Sequence, residues 1–309
     1  THRDGRVLVP VIQVPRALGD GWEPLEAVLD VNPKLAPREH VAWLLEDEVP
    51  PSLIRQLPSG WQVLGDVGLL RLPEALLDHG ATIGKAYGDA LGLRSVLHIH
   101  GAEGELREPD TVHLWGERDT CTVHREHGLV YHLDPAQVLF SQGNHHERHR
   151  LAATLQPGER VVDLFAGVGY FALPFARAGA EVIACEKNPA SVAFLQENVA
   201  ANELQGRVEV RAGDCRETAP EGWAHRVHMG YFPGTQAFLS TAVAAIAPEG
   251  GILHYHDTAG GEDPVKETWH AVLEHPALAE GDAKLLEGRT VKSYAPGVVH
   301  VVLDVEVTP

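Results

Sequence analysis

From Gln142 onward, short apolar runs alternate with segments whose apolar positions recur at helical spacing. Arg160 to Leu164 predicts a buried strand, Tyr170 to Ala178 a helix and Glu181 to Glu186 a second strand. A helix over Pro189 to Asn202 follows, with Asn188 as its N-cap and Pro189 at its first position. Strands over Arg207 to Ala212 and Arg226 to Gly230, a helix over Thr235 to Ala247 and a strand over Gly251 to His256 complete the alternation. Such a pattern means right-handed βαβ units and a parallel sheet covered on both faces. Beyond it, Lys284 to Val291 and Val298 to Val307 flank the turn Tyr294-Ala295-Pro296-Gly297 and predict a terminal antiparallel pair.

Upstream the periodicity is different. Between Trp61 and Phe140 the runs Val67 to Leu72, Ser95 to His100, Thr111 to Trp115 and Thr120 to Arg125 read as strands, interrupted by one helix over Pro73 to Leu91. Thr1 to Gly60 is broken by eight prolines and predicts an irregular segment. The chain therefore divides into residues 1–60, Pro-rich and irregular; 61–140, a β-rich α+β N-terminal domain; and 141–309, an α/β domain of Rossmann type.

The 309 residues are 44% hydrophobic and 22% charged, the composition of an ordinary soluble globular protein. Lys and Arg total 25 against 43 Asp and Glu, a net charge of −18 that excludes a uniformly basic coat for nucleic acid. Neither part is basic: residues 1–140 carry 12 basic against 21 acidic groups, and 141–309 carry 13 against 22. Any polyanion needs a confined patch. Cys121, Cys185 and Cys215 form no CxxC pair, which argues against disulfides or structural zinc and for a reducing cytoplasm. Thr1 to Pro15 lacks the apolar core of a signal peptide, and no run approaches a membrane span. A cytoplasmic protein with no membrane partner is expected.

The strongest chemical signal is Asp163-Leu164-Phe165-Ala166-Gly167-Val168-Gly169-Tyr170-Phe171, a strand entering a glycine turn and then a helix. Gly167 and Gly169 let the backbone approach a ligand, and the helix start offers free N–H groups. Glu186 ends the next strand, where a carboxylate accepts both hydroxyls of a ribose. Gly213-Asp214 ends the third, placing Asp214 for an adenine amino group and Cys215 for a backbone N–H. Gly167, Gly169 and Ala172 also satisfy a dinucleotide fingerprint, but Asp163 repels a pyrophosphate and attracts the cationic sulfonium and ammonium of S-adenosyl-L-methionine. S-adenosyl-L-methionine therefore ranks above NAD. Asp163, Phe165, Gly167, Gly169, Glu186, Lys187, Asp214 and Cys215 are candidate cofactor residues.

The string Phe140-Ser141-Gln142-Gly143-Asn144-His145-His146-Glu147-Arg148-His149-Arg150, followed by the glycine turn, resembles the superfamily of tRNA guanine-N1 methyltransferases and tRNA wybutosine-synthesis aminocarboxypropyltransferases. The resemblance runs from about Trp61 to the end of the chain. It implies a class I S-adenosylmethionine-dependent methyltransferase-like fold, a tRNA partner and a β-rich domain that positions tRNA. Ser141 and Arg148 join Glu186, Asp214 and Cys215 as cofactor contacts on the same basis. In place of the methyltransferases' Asn-Leu-Pro, this chain has His228-Met229-Gly230-Tyr231-Phe232-Pro233. With Gly251 to His256 and Tyr294 to Val302, that stretch is similar to the aminocarboxypropyltransferase branch. The resemblance implies transfer of the 3-amino-3-carboxypropyl group to a modified guanosine 3′ of the anticodon, releasing methylthioadenosine, with methyl transfer to guanine N1 as the alternative. A third reading is an RNA-binding or cofactor-sensing protein that retains the pocket without turnover.

Which carbon of the cofactor reacts is set by which one faces the acceptor. Holding the methionine carboxylate near Arg148 or Ser141 presents the γ-carbon. The base that removes the acceptor's proton is open among His145, His146 and Glu147. His145, His146 and Arg150, with Tyr231 and Pro233, are candidate RNA or substrate residues. Arg160, Arg177, Arg207, Arg211, Arg216 and Arg226 are candidates to extend this basic stretch. His98-x-His100 and His254-x-His256 place two imidazoles on one strand face, yet no Cys or carboxylate completes a metal set, and no metal is expected.

Overall fold

A proline in the first turn of a helix gives up no backbone hydrogen bond. The computed structural model, which describes residues 2–3, 6–7, 36–278 and 282–308, uses Pro37 in that way. It opens α1 (Pro37–Leu44), and Glu39 accepts the Ala36 N–H at 3.0 Å. Val41, Leu45, Val49 and Leu57 are buried against the unit that follows. The expected irregularity is thus corrected from Ala36 onward, while residues 8–35 lie outside the described residues. Counting Pro37 as a breaker hides a helix that it starts.

Next come β1 (Gln62–Leu64), β2 (Val67–Leu70), α2 (Gly80–Leu91), β3 (Ser95–Glu103) and β4 (Glu108–Gly116), the strands forming a mixed sheet in sequence order. The helix expected over Pro73 to Leu91 divides into a 3₁₀ segment, Glu74–His79, and α2. β5 (Thr122–Glu126) and β6 (Leu129–Leu133) pair as a separate hairpin.

The large domain runs through α3 (His145–Thr154), β7 (Arg160–Asp163), α4 (Ala172–Arg177), β8 (Glu181–Glu186), α5 (Pro189–Ala201), β9 (Val208–Ala212) and β10 (Arg226–Met229). It continues through α6 (Leu239–Ala245), β11 (Gly251–Ala259), α7 (Pro264–Leu273), β12 (Ala283–Ala295) and β13 (Val298–Val307). The strand order is β9-β8-β7-β10-β11-β13-β12, parallel up to β11, with β12 and β13 antiparallel as expected. Val161 and Val182 pack on one face, Val162 and Ile183 on the other, so both faces are covered. The chain winds outward from β7 and then reverses to β10, with Asp163 level with His228. Ligands of open α/β sheets bind at such a switch point. Among the described residues no helix is long and apolar enough to cross a membrane.

Two asparagines one helical turn apart fasten the hairpin to α5. Asn198 is fully buried; its Oδ1 accepts the His132 N–H at 2.6 Å and its Nδ2 donates to the carbonyls of His132 and Val168. Asn202 repeats the pattern on Val130. Asn198→Ala strands these groups without partners, so urea unfolding should show a loss of about 1–3 kcal/mol. A loss under about 0.5 kcal/mol, the size of an ordinary surface substitution, counts against the clamp.

Candidate active site

Beside the switch point the backbone turns through Gly167 at φ 56° and Gly169 at φ 101°. A Cβ would lie 2.2 Å from the Tyr170 ring at Gly167 and 2.7 Å from Leu173 at Gly169, so both positions demand glycine. The Gly167 N–H donates to Glu186 Oε2 at 2.7 Å, and the Asn188 N–H donates to Oε1 at 2.7 Å. Burial pushes the Glu186 carboxyl up against the pull of these two donors. A carboxylate has about four acceptor positions, so two remain for a ligand diol.

Around this turn lies a cavity of about 650 Å³. Of the candidates, Ser141, Arg148, Phe165, Gly167, Glu186, Lys187, Asp214, Cys215 and Tyr231 line it. Asp163 lies behind the wall, fully buried, its Oδ1 3.0 Å from His228 Nδ1. Gly169 is also behind it, packed on α4. His145, His146, Arg150 and Pro233, expected as RNA or substrate residues, are not among the residues that line this cavity. Arg150 is spent on Glu147 and Asp304, and His145 Nδ1 lies 3.0 Å from the Gln142 carbonyl. Arg160, Arg211, Arg216 and Arg226 are likewise paired, with Glu249, Glu209, Asp214 and Glu159.

At one end of the cavity Arg148 is buried, with two N–H groups on Glu126 Oε1 and Oε2 and another on the Ser141 carbonyl. Burial works to raise the Glu126 carboxyl, but hydrogen bonding from His124 and the Arg148 charge overcome it and hold it at about 2. Lys292, from β12, reaches the same end. Its Nζ lies 3.4 Å from Ser141 Oγ with no carboxylate partner among the described residues, and burial, then Arg148, push its pKa down. Sequence reading misses Lys292, whose one signal is its place two residues before the Tyr294 motif.

At the other end Asp214 caps the single turn Cys215–Thr218. It accepts from the Arg216 backbone and guanidinium and from Lys187, and Arg216 holds it well below the usual carboxylate range. With those positions filled, an amino group reaches Asp214 only by displacing Lys187 or Arg216. The Cys215 N–H, at the first helical position, has no intrahelical acceptor. Phe165 stacks on Tyr231 at 5.1 Å and meets Phe238 edge-on at 4.8 Å, forming an aromatic shelf. The β3–β4 loop reaches over this shelf: Arg107 lies 4.7 Å from the Tyr231 ring centroid, and Glu105 pairs with Lys187. Arg71 and Arg107, both lining the cavity, have no acidic partner among the described residues.

The cavity therefore offers a diol acceptor, a flat aromatic surface and an unpaired ammonium, a donor set that fits the ribose, adenine and carboxylate of S-adenosyl-L-methionine. Residues 122–276 match the family model described as the TRM5/TYW2 methyltransferase domain, and residues 41–120 match the TYW2 N-terminal domain. The match thus begins ahead of Trp61. The tRNA(Phe) (4-demethylwyosine(37)-C(7)) aminocarboxypropyltransferase of Pyrococcus horikoshii is 40% identical over 268 residues, 85% of this chain and 95% of that protein. The crystal structure of P. horikoshii TYW2 in complex with MeSAdo superposes with a TM-score of 0.76 at 36% identity, covering 88% of this chain and 100% of that one. The tRNA (guanine(37)-N(1))-methyltransferase Trm5b of Pyrococcus abyssi is 31% identical over 99% of this chain and 90% of its own.

Proposed function

The chain belongs to the TRM5/TYW2 family, and from that premise we propose that it transfers the 3-amino-3-carboxypropyl group of S-adenosyl-L-methionine to C7 of 4-demethylwyosine at position 37 of tRNA. The observation that carries this reading is the pair of anchors on either side of the switch point. Glu186 stands at the end of β8 and Lys292 on β12, at opposite reaches of the sheet. A cofactor gripped at ribose and carboxylate has its methionine arm stretched between them, which exposes the γ-carbon to attack. The closer likeness to the P. horikoshii aminocarboxypropyltransferase than to Trm5b, and the absence of Asn-Leu-Pro after β10, support the same branch.

In this reading Glu186 accepts the ribose hydroxyls, the Cys215 N–H meets adenine and Phe165 covers it. Lys292 and Ser141 hold the carboxylate, while Arg148 fixes Ser141 through its carbonyl. When bound, the sulfonium supplies an activated carbon and a neutral thioether leaving group. The acceptor base enters over Tyr231, where an unstacked nucleobase finds an aromatic face, and Arg71 and Arg107 meet the tRNA backbone at the rim. Incubation with S-adenosyl-L-methionine and tRNA carrying 4-demethylwyosine should release methylthioadenosine, read by mass spectrometry. S-adenosylhomocysteine in its place assigns the chain to methyl transfer, and cofactor binding without turnover assigns it to the non-catalytic class.

A further inference from the structure

Four buried side chains form a row across adjacent strands beneath the cavity: Asp163 on β7, His228 on β10, His256 on β11 and His300 on β13. Asp163 Oδ1 lies 3.0 Å from His228 Nδ1, the His228 and His256 rings meet edge-on at 4.8 Å, and His256 Nδ1 lies 3.1 Å from His300 Nε2. His228 is 1% exposed yet lines the cavity, and its Nε2 has no hydrogen-bond partner. A buried nitrogen left unpaired is costly, and a carboxylate on the far side of the ring fixes which nitrogen is free. His145 and His146 are outside the cavity, and Glu147 is held by Arg150 and Arg289. His145, His146 and Glu147, the bases left open by the sequence, do not line the cavity.

We propose that His228, held by Asp163, is the general base that takes the proton from the acceptor carbon. The proposal rests on the carbon-transfer reading above. As the acceptor carbon bonds to the γ-carbon of the methionine arm, the γ-carbon–sulfur bond breaks and its electron pair stays on the sulfur of methylthioadenosine. The acceptor's proton passes to His228 Nε2, Asp163 stabilises the imidazolium through Nδ1–H, and the proton returns to solvent after release. His256 faces His228 from β11, with His300 behind it on β13 and Lys292 beside that ring. Burial keeps His256 and His300 neutral, so Asp163 supplies the negative charge in contact with the His228 ring.

Single-turnover release of methylthioadenosine across pH tests this. For wild type the rate should rise with pH over the range in which the enzyme stays folded. His228→Gln should lose at least about a hundredfold in rate, keep its cofactor affinity by calorimetry, lose that rise and regain rate with added imidazole. Asp163→Asn, which removes the carboxylate from the imidazolium, should move the rise to lower pH. A wild-type profile flat across that range overturns the proposal, as does a His228→Gln rate near wild type or a slow variant with an unchanged rise. If His228→Gln does not fold, the wild-type profile and the Asp163→Asn shift decide. Failure of the parent reading shows separately, as S-adenosylhomocysteine from wild type.

Discussion

Arg148→Ala should lower the unfolding free energy by about 3–5 kcal/mol, because it leaves the largely buried Glu126 carboxylate without its cation. Guanidinium chloride denaturation measures the loss. Replacing both partners with apolar side chains, Arg148→Met with Glu126→Leu, should recover most of it, since what costs is the uncompensated charge. The pair also sets an acid limit. Glu126 is held at about 2 against an ordinary 4.5, so its contribution is complete above about pH 4.5 and fades as pH falls toward 2. That shift corresponds to about 3 kcal/mol. In Arg148→Ala the acid slope should flatten to the part that His124 supplies. A variant as stable as wild type, with the full acid slope, refutes the assignment.

Glu186→Ala should weaken S-adenosyl-L-methionine binding by about 1.5–3 kcal/mol, roughly ten- to 150-fold, the worth of hydrogen bonds to a charged acceptor. From sequence, Glu186 is a ligand contact whose removal spares the fold. The structure revises this, because the same carboxylate closes the glycine turn through Gly167 and the helix start through Asn188. A further stability loss of about 1–3 kcal/mol is therefore expected from two stranded N–H groups. Titration calorimetry and thermal unfolding separate the two effects. Unchanged affinity removes Glu186 from the ribose site.

What was legible in the sequence was local. Asn188 followed by Pro189 marks a helix start within one residue, and the Asn188 side chain accepts from Ala190 and Ser191 as an N-cap does. Glu181–Glu186 and Val298–Val307 have the expected bounds, since flanking turns punctuate apolar strands. The glycine turn and Glu186 were legible because their spacing carries the geometry. Partners distant in the chain were not. Lys292 meets Ser141 across 151 residues, and only the terminal pair's docking brings it there. Arg148 reads as a free cation until the hairpin places Glu126 on it. His228 reads as one strand histidine among many, and only the strand order sets it level with Asp163.

The Asn198 and Asn202 clamp bears on how the chain behaves in company. β6 is an edge strand, and an edge with vacant N–H and C=O groups templates pairing with another molecule. Here amide side chains already take the Val130 and His132 backbone groups, so a second chain arriving at that edge finds its hydrogen bonds spoken for. The device that docks the hairpin thereby also closes the Val130 and His132 edge of β6 to strand addition.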